Sequence, residues 1–292
     1  MLARGTMVNG RFEVIRRIGA GQHGEVYSAS RLNDGRMVAL KFQDGLTFES
    51  AEDFEYFGVP IIDEAKILKD LRHVPGVPYF FERDDFAGRE FFAMEFIPGN
   101  TLVTFAADKR PLLSPFASSI AGQLCEILGG IHSAGLVHCD VKPANIVIQP
   151  NGRLRLVDVG IAAELGSTAA RRGSHGWAAP EQYDEGRLTA ATDLYALGCL
   201  LFHLGALQRP FAHGAGRPAG EPFPDGLSAA MPERLQKAAF AMIQLDPADR
   251  PSNAEEAFDL LWPLIPKPGA PRHPKAPDPD PSTYFRLRTS AA

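Results

Sequence analysis

The stretch that most constrains this chain is His138-Cys139-Asp140-Val141-Lys142-Pro143-Ala144-Asn145, followed after a short apolar run by Asp158-Val159-Gly160. It puts a carboxylate, an ammonium and an amide on one loop, and a second carboxylate just downstream. Two strand-like segments, Ile146–Ile148 and 154–157, separate the motifs, and Asn151-Gly152 between them is a strong hairpin signal. Such a hairpin folds the loop before it back towards the turn after it, so Asn145 and Asp158 can share one ion. Oxygen ligands of this type suit Mg²⁺, a hard cation that keeps its other positions for water and phosphate. Asp140 then stands near by with no partner assigned, free to accept a hydroxyl proton. The pattern implies phosphoryl transfer.

Composition narrows the setting. With 292 residues, 45% hydrophobic and 22% charged, the chain reads as an ordinary globular protein of one large domain or two lobes. A formal net charge of −5 gives no general attraction to nucleic acid or anionic lipid. Cys125, Cys139 and Cys199 form no CxxC pair, so neither zinc nor a disulfide framework is expected, and a reducing compartment is. The N-terminus lacks a signal-peptide core and no run approaches the ~20 apolar residues of a membrane span. A cytoplasmic chain is expected.

In the N-terminal half, residues 12–18 alternate as a strand into Gly19-Ala20-Gly21-Gln22-His23-Gly24. Val26-Tyr27-Ser28-Ala29 continues as a second strand, whereas a dinucleotide-binding turn requires a helix to open there. The glycines allow a backbone to approach phosphates without side chains intervening. Met37–Phe42 makes a third strand, and the apolar segments 77–82 and 91–96 complete a five-stranded antiparallel sheet. A helix containing Ile67, Leu68 and Leu71 on one face follows a long connection over 43–59, with Pro60 in its first turn.

The C-terminal half reads as helical. Ser114 as N-cap and Pro115 start a helix that runs to about Ala134 and stops at Gly135, with Ile120, Leu124, Ile127, Leu128 and Ile131 on its apolar face. His132 reads as a partly exposed residue of that helix. Thr189 opens a strongly apolar helix to about Leu204, and Asp193 within it must find hydrogen-bond donors. Residues 253–262 form the last helix. From Pro263 onward, repeated prolines with Gly, Ala and charge predict an extended linker with no core.

Taken together, these motifs resemble the eukaryotic-like Ser/Thr protein kinases of bacteria, within the protein kinase superfamily. His138-Cys139-Asp140 with Asn145 stands for H-R-D-L-x-x-x-N, Asp158-Val159-Gly160 for D-F-G, and Val38-Ala39-Leu40-Lys41 for V-A-I-K. Trp177-Ala178-Ala179-Pro180-Glu181 resembles the A-P-E region, and Lys142-Pro143 the Ser/Thr branch. The resemblance covers about Phe12 to Leu261. It implies an α+β, bilobal kinase fold: a five-stranded antiparallel N-lobe sheet with one helix, a mainly helical C-lobe, and ATP in the cleft between them. The expected division is a lead over 1–11, an N-lobe over 12–95, a C-lobe over 96–265 and a proline-rich tail over 266–292.

The resemblance also implies roles. Gly19, Gly21, Gly24, Val26 and Ala39 would surround ATP. Lys41 would contact its α- and β-phosphates, positioned by Glu64, which fits the family pattern better than Glu49, Glu52 or Glu55. Met94 would be the gatekeeper, and the backbone of Glu95 and Ile97 would bond adenine. Asp140 would be the base, Lys142 would stabilise the transferring phosphoryl, and Asn145 and Asp158 would hold Mg²⁺ or Mn²⁺. His138 would be a packed structural residue of the loop. Asp193 would anchor the catalytic loop through its backbone amides, Arg250 would pair with Glu181, and Ser174 would contact the catalytic loop. Ser167 and Thr168 are candidates for phosphorylation, with Arg171 and Arg172 near by to capture a phosphate. Cys139, where regulated kinases carry arginine, makes this a non-RD chain. The implied partner is a protein substrate, with a transient homodimer for autophosphorylation. Two alternatives stand beside this reading: a pseudokinase scaffold, prompted by Cys139 and Val159, and a small-molecule phosphotransferase, which generally lacks A-P-E and the substrate-facing lysine.

Overall fold

A computed structural model of the protein describes residues 1–21, 24–43, 61–107, 111–169, 173–210 and 231–289. The chain divides into two compact units, one of Met1–Ile97 with Asp158–Ile161, the other of Pro98–Val157 with Ala162–Ala292.

The first unit is built on one antiparallel sheet of β1 (Met7–Val8), β2 (Phe12–Gly21), β3 (Gly24–Arg31), β4 (Met37–Phe42), β5 (Phe80–Phe86) and β6 (Arg89–Glu95), in the order β1-β2-β3-β4-β6-β5. Five strands were expected and six are present, because residues 7–8 are not a mere lead. Asn9 and Gly10 take φ of +49° and +66°, and the tight turn they make pairs Val8 with Phe12. Val8 is fully buried by it. The strand expected over 77–82 starts later, since Val77 still bonds back to Val74 in a turn.

Alternation gives the sheet two distinct faces. Val38, Leu40 and Phe42 join Phe12, Tyr27, Phe91 and Ala93 in the core. Phe42 and Phe91 stack at 4.9 Å, and each full burial of such a side chain contributes about 1.5–3 kcal/mol. Ala39 and Lys41 alternate with these core residues along β4. Helix α1 (Ile61–Asp70) buries Ile61, Glu64, Ala65 and Leu68. Apart from Gln43, the connection over 43–59 lies outside the described residues, as does Pro60.

The second unit is mainly helical. Helix α2 (Ser114–Ser133) has Pro115 in its first turn, but its N-cap is Leu113, so Ser114 already lies inside the helix. Gly135, at φ +80°, ends the turn that follows. Helix α3 (Ala190–Ala206) is apolar on nearly every side and lies at the centre, contacting both α2 and α4 (Glu233–Met242), while α5 (Ala254–Leu261) packs on α2. Short strands β7 (Asn100–Thr101), β8 (Leu136–Val137), β9 (Ile146–Ile148), β10 (Leu154–Leu156) and β11 (Ala163–Glu164) make two small sheets, ordered β10-β9-β7 and β11-β8. Arg250 grips Glu181 with both guanidinium ends, at 2.8 and 3.0 Å, and is 5% exposed.

The segment after residue 265 corrects the expectation of a coreless linker. Phe285, on the short helix α6 (Thr283–Arg286), is 1% exposed and packs on Phe258 with ring centroids 6.0 Å apart. A Cβ on Gly122 would lie only 3.2 Å from Phe285 Cζ, so the segment follows α2 closely. The Gln123 side chain donates to the carbonyls of Pro281 and Gly152, each at 3.0 Å, and accepts from the Leu154 amide at 2.9 Å. One aromatic anchor and side-chain bonds to backbone hold the segment, features that proline content does not register.

Candidate active site

In the first unit the glycines lie where β2 turns into β3. Gly19 pairs with Val26 and Gly21 with Gly24 across the β2–β3 turn, and Gly24 takes φ +128°, which favours glycine. Gln22 and His23 lie outside the described residues. Val26 stands opposite Lys41, and Ala39 opposite Met94. Directly opposed residues share a face, so Val26, Lys41, Ala39 and Met94 lie on the face turned from the aromatic core. Glu95 ends β6, with its amide bonded to Tyr79 O at 2.8 Å. Ile97 closes this part of the unit.

Lys41 Nζ lies 2.7 Å from Glu64 Oε1 and 3.0 Å from Asp158 Oδ1. Glu49, Glu52 and Glu55 lie outside the described residues. Burial works against the Lys41 charge, but the Glu64 and Asp158 carboxylates outweigh it and hold the ammonium above the ordinary lysine range. One ammonium cannot neutralise two carboxylates. Glu64 has a 4% exposed side chain against 34% for Asp158, and burial raises its carboxyl to about 7 despite the pull of Lys41. Asp158 sits at φ +69°, in the left-handed region, and its Oδ1 also accepts the Gly160 amide at 3.2 Å. Val159 is 1% exposed and therefore fully packed.

Within the second unit a network centres on Asp140. Its Oδ2 accepts from Asn145 Nδ2 at 2.8 Å and pairs with Lys142 Nζ at 2.8 Å. Its Oδ1 accepts from Ser174 Oγ at 2.6 Å, and Lys142 Nζ donates to the same Ser174 oxygen at 2.6 Å. Two of the donors to Asp140, Lys142 and Asn145, lie on its own loop, and the third, Ser174, comes from the segment downstream. Asn145 Nδ2 also bonds the Asp140 carbonyl, leaving Oδ1 as the amide atom suited to a cation. The Asn145 carbonyl accepts the Val157 amide at 2.7 Å, closing the β9–β10 hairpin immediately before Asp158.

Asp193 on α3 holds this loop from below. Its Oδ2 accepts the His138 amide at 2.8 Å and its Oδ1 the Cys139 amide at 2.8 Å. Burial opposes the Asp193 charge, but His132 and the loop amides outweigh it and hold the carboxyl below its usual range. His132 Nε2 lies 2.9 Å from Asp193, a pairing that nothing in the local sequence announces. Gln182, following Glu181, likewise escaped the reading of the sequence: its Nε2 donates to the Cys139 carbonyl at 2.9 Å. Cys139 is buried, offers no cation, and burial first, then the Asp193 and Asp140 charges, push its thiol up. Among the described residues no cluster of three His, Cys, Asp or Glu could hold a metal by itself.

Downstream, the segment from Leu165 to Ala169 runs along residues 186–188. Gly166 donates to Leu188 O, Leu188 to Ser167 O and Ala169 to Gly186 O, at 2.7–2.9 Å. Ser167 Oγ donates to the Glu164 carbonyl and Thr168 is exposed. Arg171 and Arg172 lie outside the described residues.

Residues 12–262 match the family model described as the protein kinase domain. The chain is 33% identical over 208 residues to mitogen-activated protein kinase kinase kinase kinase 3 of Rattus norvegicus, covering 68% of this chain and 23% of that protein. It is 32% identical over 212 residues to the serine/threonine-protein kinase PrkC of Bacillus subtilis, covering 71% and 32%. To the DNA damage-responsive serine/threonine-protein kinase RqkA of Deinococcus radiodurans it is 30% identical over 279 residues, covering 90% and 41%. The chain thus spans well under half the length of these curated relatives. No helix among the described residues is long and apolar enough to cross a membrane.

Proposed function

This chain belongs to the protein kinase family, and on that premise we propose that it transfers the γ-phosphoryl group of ATP to Ser or Thr hydroxyls of protein substrates. The observation that carries this reading is the Lys142 ammonium shared between Asp140 and Ser174. It sets a positive charge beside the carboxylate that would act as base, where a hydroxyl nucleophile and a phosphoryl group would meet.

In the proposed reaction the hydroxyl proton passes to Asp140, the hydroxyl oxygen bonds to the γ-phosphorus, and the bond to the β,γ-bridging oxygen breaks, releasing ADP. Lys142 offsets charge on the transferring group. Lys41, fixed by Glu64, holds the α- and β-phosphates, and Gly19, Gly21 and Gly24 let the backbone lie over them. Val26, Ala39 and Met94 flank the adenine, which the backbone of Glu95 and Ile97 would bond. Asn145 Oδ1 and the Asp158 carboxylate are hard oxygen donors that fit Mg²⁺, or Mn²⁺, as a pair completed by phosphate oxygens. When bound, the cation would neutralise phosphate charge.

Cys139 supplies no cation for a phosphorylated activation segment, so activity on other proteins would not depend on phosphate there. Autophosphorylation through a transient homodimer remains compatible with this, at Ser167 or Thr168. The test is ³²P transfer from ATP into a generic basic protein, run beside ATP binding. We expect transfer by the wild type and its loss, with the fold kept, in Asp140→Asn and Asp158→Ala. ATP binding without any transfer would favour a pseudokinase, and transfer to small molecules alone a phosphotransferase.

A further inference from the structure

Cys139, the residue just before Asp140, holds φ +66°, in the left-handed region that a side chain with a Cβ rarely adopts. It is 5% exposed, so both of its backbone polar groups need protein partners. The amide donates to Asp193 Oδ1 at 2.8 Å, and the carbonyl accepts from Gln182 Nε2 at 2.9 Å. The strained peptide is therefore gripped from both sides by buried side chains.

Gln182 is 1% exposed and uses its other end as well, its Oε1 accepting the Ala179 amide at 3.0 Å. Its neighbour Glu181 is tied to Arg250. A Cβ on Gly173 would come within 2.9 Å of Gln182 Nε2, so the activation segment crosses directly over this amide. The next residue, Ser174, donates to Asp140 Oδ1. One carboxamide thus touches the peptide before Asp140 and lies under the glycine before the hydroxyl that Asp140 binds.

We propose that Gln182 is a positioning residue for phosphoryl transfer, which aims Asp140 by holding the Cys139 carbonyl and supporting the Gly173-Ser174 crossing. This rests on the kinase reading above. It supplies a neutral link between activation segment and catalytic loop in a chain whose Cys139 gives no charged one.

Gln182→Glu tests it. The variant keeps the acceptor for Ala179 but turns an anionic oxygen towards the Cys139 carbonyl. Gln182→Met, of similar volume, removes both bonds. We expect kcat on a basic protein substrate to fall 10- to 100-fold in both, with the ATP dissociation constant and KM for ATP within about twofold of wild type. For Gln182→Glu alone, the ratio of its kcat to that of wild type should rise as pH falls from 8 to 6, because a protonated carboxyl donates again. ATP binding measured on the same samples separates a loss of positioning from a loss of fold, because a loss of fold would lower both. An active wild type with both variants within twofold of its kcat overturns the role of Gln182. So does a loss of kcat that tracks loss of ATP binding and shows no recovery at low pH. A wild type that transfers no phosphate overturns the kinase reading, and this inference with it.

Discussion

Glu64 and Asp193 are both buried carboxylates, yet their surroundings push them in opposite directions. Glu64 shares Lys41 with Asp158, and burial holds its carboxyl raised at about 7. A raised value in the folded state means its contribution to stability is complete below the ordinary carboxyl range, near 4.5, and is lost as pH climbs through about 7. Glu64→Gln removes that dependence, so the stability gap between wild type and variant should shift in the variant's favour from pH 5 to pH 8 in urea titrations. Asp193 is held low, so its contribution is present above its ordinary value and lost as pH falls through the depressed one. Asp193→Asn would point an NH₂ group at a backbone amide, leaving a buried donor unpaired at a cost of about 1–3 kcal/mol. It should also flatten the acid limb of the stability curve, read by acid unfolding. The contiguous string from His138 to Asn145 was legible because the loop that bears it is local in sequence. His132 and Gln182 were not legible, because the groups they bond, Asp193 and the Cys139 carbonyl, lie 61 and 43 residues away in sequence.

Two Asn-Gly pairs show how much an element depends on what lies against it. Asn151-Gly152 announces the β9–β10 hairpin, and the same dipeptide at Asn9-Gly10 folds β1 onto β2, although the short apolar run before it gives little strand signal. A Cβ on Gly10 would meet nothing within 4 Å, so Gly10→Ala carries only the left-handed backbone penalty of about 1–2 kcal/mol. A Cβ on Gly152, also at positive φ, would come within 2.1 Å of the Asp280 carbonyl oxygen. Gly152→Ala must therefore displace the C-terminal segment as well as strain the turn. We expect the larger loss of stability at Gly152, with new protease cleavage between residues 266 and 289 that Gly10→Ala does not produce.

Across the whole molecule, the described part of the C-terminal segment behaves as part of the helical unit. Phe285→Ala empties a site lined by Phe258, Ile265 and Gly122, and such truncations cost about 3–5 kcal/mol. A fall in thermal midpoint, with residues 266–289 opened to limited proteolysis, would check this; an unchanged midpoint would show the segment to be only laid on the surface. The three thiols carry a further consequence. Cys125 and Cys199 are 2% and 0% exposed, inside α2 and α3, while Cys139 lies on the loop that carries Asp140. Burial pushes the Cys125 thiol up, and that of Cys199 to about 12, so none of the three offers a ready thiolate in the closed fold. Alkylation must wait for opening, and each cysteine becomes a clock. Cys139 should be labelled at the rate at which the loop around Asp140 breathes, faster than Cys125 and Cys199, which report the slower parting of the helices. Nucleotide that steadies the loop would slow the first clock and leave the other two nearly unchanged.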